Sequence, residues 1–166
     1  MRHGSTVLES ESPMRVVIDT NVWVSGLLWK GMPWHVLRLA EEKKIEIYAT
    51  TSMLEELESV LQYPRLQPRR LELGLEVSDF TAYATALVSL VELEQIEPVV
   101  IADPDDDVFV NCAMAVGAKY LISGNRHLLD LKQWRGVSIV TPHEFLEQEF
   151  PHLLDERIAQ ALRTSA

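Results

Sequence analysis

Short β-branched runs recur along this chain, "RVVID", "IEIYAT", "KYLISG" and "VSIV", with helix-patterned stretches between most of them. That alternation narrows the fold more than any other feature, because strands alternating with helices imply a parallel sheet covered on both faces. The 166 residues suit one such domain. "MRVVIDTN" reads as a buried strand running into a loop, and "PWHVLRLAEEKK" as a helix with Val36, Leu37, Leu39 and Ala40 inward. "TSMLEELESVLQYP" is predicted to be a helix capped by Thr51 or Ser52, with Glu55 three residues beyond Ser52, and to close before Pro64. Ser78 to Leu93 is predicted helical, and "EPVVIAD" briefly extended. Pro104 suits a first helical turn, "DDDVFVNCAMAVG" a helix ended by Gly117, and "TPHEFLEQEF" a capped helix.

In such a sheet, ligands bind beyond the carboxyl ends of the strands. The chain puts Asp19 at the end of its first strand and Ser123, Gly124 and Asn125 at the end of "YLIS". Glu56 and the run Asp105, Asp106 and Asp107 fall in first turns of helices, so carboxylates from distant segments collect on one edge. Helix-dipole complementation offsets little of their repulsion, about 0.3–1 kcal/mol per acid. At about 100° per residue, Asp105 and Asp106 lie on the side of Phe109, Cys112, Ala113 and Val116, while Asp107 points outward. Glu55 points away from the apolar stripe of its helix; Glu56 and Glu58 border it on opposite sides, and spacing does not choose between them. A carboxylate cluster suits a hard cation with oxygen ligands, Mg²⁺ or Mn²⁺. His35, His127, His143 and His152 show no metal-ligand spacing, which argues against zinc.

Composition closes other routes. The single cysteine, Cys112, excludes a disulfide framework and reads as a small core residue. No apolar run is long enough to span a membrane, and "MRHGSTVLESESP" lacks the apolar core of a signal peptide, so a cytoplasmic protein is expected. Residues 1–13 read as a flexible leader, with Met14 a candidate start, 14–150 as the domain and 151–166 as a helical tail. The net charge of −10 argues against nucleic-acid binding by bulk electrostatics. It allows a nuclease whose acidic pocket is filled by divalent metal and whose rim is locally basic. Arg65, Arg69 and Arg70 in "YPRLQPRRLELG", and Arg126, are candidate RNA contacts; a solvated interhelical loop is the alternative for the first three.

Taken in order, "VVIDTNVWVSGLL", "TSMLEELESVL", "DPDDDVFVNCAMAVGAKYLISGN" and "TPHEFL" resemble the PIN-domain family, in particular its toxin-component branch related to VapC-type toxins. The resemblance covers roughly Met14 to Phe150. It implies a three-layer α/β/α sandwich around a parallel sheet and a Mg²⁺- or Mn²⁺-dependent ribonuclease. It further implies a homodimer and inhibition by a cognate antitoxin. The family's first acid falls on Asp19, its helix glutamate on Glu56, its third acid on Asp106 and its fourth polar position on Asn125. Asp19, Glu56 and Asp106 would hold metal; Thr20, Asn21, Asp105 and Ser123 would orient carboxylates or the attacking water.

Two positions depart from the branch, which usually reads "SGD-x-D" where this chain reads "SGNRH": Asn125 and His127 each stand in place of an acid. They motivate the competing reading, a PIN fold that binds protein or RNA without cleaving. A phosphoacceptor receiver domain needs an early acidic pair and a late lysine, and a haloacid-dehalogenase-type phosphatase needs Asp-x-Asp; "VVIDTN" and "LISGN" supply neither.

Overall fold

The first β-branched run forms β1, Met14–Ile18, the central strand of a six-stranded sheet. The computed structural model describes residues 12–100 and 103–165; residues 1–11, which make up most of the expected leader, lie outside the described residues. The remaining strands are β2 (Ile45–Ala49), β3 (Val88–Leu90), β4 (Tyr120–Ile122), β5 (Gln133–Trp134) and β6 (Val137–Val140), in the order β3-β2-β1-β4-β6-β5. Every pairing is parallel except β5 with β6, an antiparallel edge that the sequence pattern did not signal.

Side-chain alternation along β1 divides the core. Val16 and Ile18 face one layer and Val17 the other, and all three are fully buried. Covering both faces explains the continuous apolar run, and each such side chain contributes roughly 1.5–3 kcal/mol. The first face is covered by α1 (Thr20–Leu28), α2 (Met32–Glu41), α3 (Thr51–Leu61), α5 (Val77–Leu87) and α8 (Pro142–Glu149). The second is covered mainly by α6 (Asp107–Val116), with Cys112 fully buried beneath it and its thiol pushed up to about 12 by burial. The short helices α4 (Gln67–Leu73) and α7 (Arg126–Leu129) complete the frame, and α9 (Pro151–Ser165) follows α8, with Leu153 and Leu154 packing on the first core.

Several local expectations are corrected. No loop follows β1: α1 begins at Thr20, with Asp19 as its cap. Gly26 lets α2 approach, since a Cβ there would lie 2.8 Å from Leu37 Cδ1 and 2.9 Å from the Pro33 carbonyl oxygen. The α3 cap is Thr50, not Thr51 or Ser52; its hydroxyl accepts from Met53 N–H while the Met53 thioether accepts from Thr50 N–H. The sulfur fills a role that patterns assign to Glu or Gln. The helix expected to run to Leu93 stops at Leu87, where Val88–Leu90 pairs with β2 as an edge strand. The "EPVVIAD" segment forms no strand among its described residues, and the Arg65–Arg70 cluster lies on a 3₁₀ turn (Pro64–Leu66) and α4 rather than in a loop.

Candidate active site

The parallel register places the ends of β1 and β4 side by side, with Ile18 opposite Ile122. Asp19 N–H still bonds the Ile122 carbonyl at 3.1 Å, which fixes the residue before its side chain turns into the site. One carboxylate oxygen caps α1 by accepting from Val22 N–H at 2.9 Å. The other accepts from the Ser123 hydroxyl in a short bond and from Gly124 N–H at 3.3 Å. Burial pushes the Asp19 carboxyl up, and Glu56 adds repulsion, while those hydrogen bonds pull it down.

Each of the other two expected acids also meets one donor. Thr20 Oγ1 donates to Glu56 at 2.6 Å, and Asn125 Nδ2 donates to Asp106 at 2.9 Å. Asn125 N–H in turn donates to Ser123 Oγ at 2.9 Å, so Asp19, Ser123, Asn125 and Asp106 form a connected network from the end of β1 through the β4 terminus to the approach to α6, while Thr20 holds Glu56 of α3 separately. Asp106 is buried, and its carboxyl is pushed up to about 6 by desolvation, then by the charges of Asp103, Asp19 and Glu56, with His127 acting oppositely. Asp19, Glu56 and Asp106 therefore lie close enough to repel one another. An all-oxygen set of mutually repelling carboxylates suits a hard divalent cation.

The Asp run departs from expectation. Asp105 is exposed, and Asp107 is buried. Pro104–Asp106 forms a 3₁₀ turn, whose roughly 120° steps break the phase extrapolated back from α6. The chain at Val99 and Val100 then crosses over Asp107, whose Oδ1 accepts from their N–H groups at 3.0 and 2.6 Å. Asp107 thus does the work of a strand partner, and Asn111 continues it by bonding Glu97 N–H and C=O at 2.8 and 2.9 Å.

Asn125 does not present its carbonyl oxygen to the acids. Its Oδ1 accepts from His127 N–H at 2.8 Å and caps α7. The reversed amide would set a carbonyl against the Asp106 carboxylate and two N–H groups against each other, so the partners fix the orientation. Sequence reasoning did not weigh Asp103 as a ligand, and it set His127 aside for want of metal-ligand spacing. Ligand atoms of Asp103, Asp106 and His127 lie within 4.8 Å of one another, with His127 exposed. The signal was the position of His127, two residues past Asn125 at a strand end.

Asn21 is exposed at the rim, where Asn21, Val22, Ser25, Gly124, Thr141 and His143 help line a recess of about 340 Å³. The four arginines do not gather there. Arg126 is exposed at the start of α7, beside Asn125. Arg69 reaches the opposite end of α1, where its Nε donates to the Leu28 carbonyl at 2.7 Å, while Arg65 and Arg70 lie on the same stretch of chain as Arg69, Arg65 in the 3₁₀ turn and Arg70 in α4. The nine residues of α1 set that end about 13 Å from Asp19.

An uncharacterised protein of Methanocaldococcus jannaschii is 32% identical over 147 residues, covering 81% of this chain and 91% of that protein. The PIN domain family model matches residues 15–127, a span that holds β1, the α3 glutamate, the Asp run and the β4 terminus. Carried by a mostly parallel sheet with acids converging at its carboxyl edge, that match makes the chain a member of the PIN-domain family, whose domains are generally nucleases that bind divalent metals through acidic residues.

Proposed function

We propose that this protein is a Mg²⁺- or Mn²⁺-dependent endoribonuclease, with Asp19, Glu56 and Asp106 as the metal-holding and catalytic acids. The observation that carries the reading is their convergence from three distant segments, each meeting a single neighbouring side-chain donor: Ser123, Thr20 and Asn125. When bound, a divalent cation supplies positive charge for the phosphate oxygens and acidifies water. Ser123 and the Val22 and Gly124 N–H groups hold both Asp19 oxygens in one orientation. Thr20 does the same for Glu56, and Asn125 for Asp106. Asn21 and Arg126 are exposed, and in this reading Asn21 meets the substrate at the rim and Arg126 its phosphates. Asp105, exposed, has no part in this reading.

By resemblance, the protein acts in the cytoplasm as the toxin of a toxin–antitoxin pair, works as a homodimer, and is held inactive by its antitoxin. Among the described residues no helix is long and apolar enough to cross a membrane. A neighbouring open reading frame encoding a small partner that blocks cleavage would support the toxin assignment.

The second reading, a PIN fold that binds without cleaving, draws on Asn125, whose carbonyl is committed to the α7 cap. RNA cleavage with Mn²⁺, with Mg²⁺ and with chelator separates the two. The nuclease reading expects cleavage that needs metal, is abolished in Asp19→Asn and Asp106→Asn, and accompanies metal-dependent stabilisation of about 2.7 kcal/mol at a hundredfold excess over the dissociation constant. Metal-independent melting together with no cleavage would establish the binding module.

A further inference from the structure

Away from the acids, three aromatic rings of this acidic protein each carry a cation. Trp29, at the end of α1, is 46% exposed, and the Arg69 guanidinium lies 5.9 Å from its ring centroid. Arg69 is fixed there by its bond to the Leu28 carbonyl. Next along the chain, Lys30 Nζ lies 5.8 Å from the ring centre of Trp34, which Arg38 approaches to 5.2 Å from another side chain position one turn on. Tyr63 is 45% exposed and carries Arg65 at 5.5 Å. Arg65 lies on the 3₁₀ turn Pro64–Leu66, which runs directly into the helix Gln67–Leu73 that carries Arg69.

The charge of this surface opposes that of the whole. Against a net charge of −10, Arg38 and Arg69 pair with Glu41 and Glu72 at 3.5 and 3.4 Å. Lys30, Arg65 and Arg70 have no ion-pair partner among the described residues, and Arg70 Nε is buried without a hydrogen bond. A core does not require large rings left open to water, and a solvated face does not require each to carry a cation. Planar guanidinium over an aromatic ring offers both a stacking plane and phosphate donors, the combination that single strands use.

We infer that Trp29, Trp34 and Tyr63, with Lys30, Arg65 and Arg69, form a stacking platform for single-stranded RNA at the far end of α1 from the acids. Its function as a substrate-holding surface rests on the nuclease reading above. The roughly 13 Å length of α1 corresponds to about four stacked nucleotides at 3.4 Å each, so one strand can occupy both places.

The test measures binding of a fluorescein-labelled oligouridylate of about twelve nucleotides, within the usual site size. The full chain is used, in chelator so that no cleavage intervenes, and each variant's melting is recorded. Trp29→Leu should weaken binding about tenfold and Trp29→Tyr should restore it, since one base stack is at stake. Arg65→Gln, an exposed change, should lower the salt slope by about one. A duplex of equal length should bind more weakly, because paired bases cannot stack on the platform. Unchanged single-strand affinity in folded Trp29→Leu and Arg65→Gln overturns the proposal, and equal duplex binding does the same by reducing the surface to backbone charge. If Trp29→Leu instead alters the mass in sedimentation and leaves RNA affinity intact, the surface is a protein interface and the proposal falls. Cleavage measured in parallel keeps the readings apart. Platform-dependent binding without any metal-dependent cleavage sustains the platform and removes the nuclease, whereas cleavage with platform-independent binding does the reverse.

Discussion

Asp106 and Asp107 are adjacent in sequence and almost equally buried, at 8% and 6% exposure, yet the structure uses them in opposite ways. Asp107 meets two backbone N–H groups and ties the Val99–Val100 segment to α6. Asp106 meets one side-chain amide and otherwise faces other acids and the exposed His127. Burial alone therefore does not separate a structural carboxylate from a candidate metal ligand; the inventory of partners does. What marks the candidate ligands is the presence of other carboxylates beside them, at Asp106 and equally at Asp19, although three donors also reach Asp19.

The comparison breaks most sharply if the two residues respond alike to truncation. Asp107→Ala leaves two buried N–H groups without an acceptor and is expected to cost roughly 3–5 kcal/mol of stability. Asp106→Ala should leave the metal-free protein close to wild type while abolishing cleavage. Urea unfolding in chelator measures both. A stability loss in Asp106→Ala as large as that in Asp107→Ala would show that both carboxylates are structural.

A pH series sharpens the contrast. The folded Asp106 carboxyl is raised from its ordinary 3.8 to about 6, so between those values the folded state holds a proton that the unfolded chain has lost. Raising the pH through that window should cost the metal-free protein stability, with the loss complete above about pH 6. Carboxyls held low, such as Glu149 beside Tyr120 and Lys119, act in the other direction, so the informative quantity is wild type minus Asp106→Asn. That difference should slope downward from about pH 4 to about pH 6. A flat difference would mean that neither burial nor the neighbouring acids raise the Asp106 carboxyl.

The smallest effect is expected at Asn125. Asn125→Asp can keep the α7 cap, because a carboxylate also accepts from His127 N–H. It removes the donor to Asp106 and sets two carboxylates together, lowering metal-free stability by on the order of 1 kcal/mol. Mn²⁺ affinity by calorimetry should rise. Unchanged affinity would confine Asn125 to the turn.

The sheet and the placement of Asp19 were legible because both rest on local patterns: β-branched runs, and a carboxylate directly after "VVI". Asp105 and Asp107 were reversed because helical phase was carried backward through a 3₁₀ turn, and because the chain just upstream at Val99 and Val100, not the helix itself, covers Asp107. Thr50 was missed as a cap because its partner is a thioether. Asp103 and His127 come together only through tertiary folding, across more than twenty residues of helix and strand, and no short spacing encodes that.

Both margins of the sheet end abruptly. Three residues form β3 on one side and two form β5 on the other, and β5 runs against its neighbour. Such stubs give an incoming strand little ladder to extend, which guards the folded chain against the stacking that leads to fibres. It also limits how copies of the chain can associate: a dimer of this protein would have to meet through helices and their side chains, and its specificity would be written in surface residues rather than in the backbone.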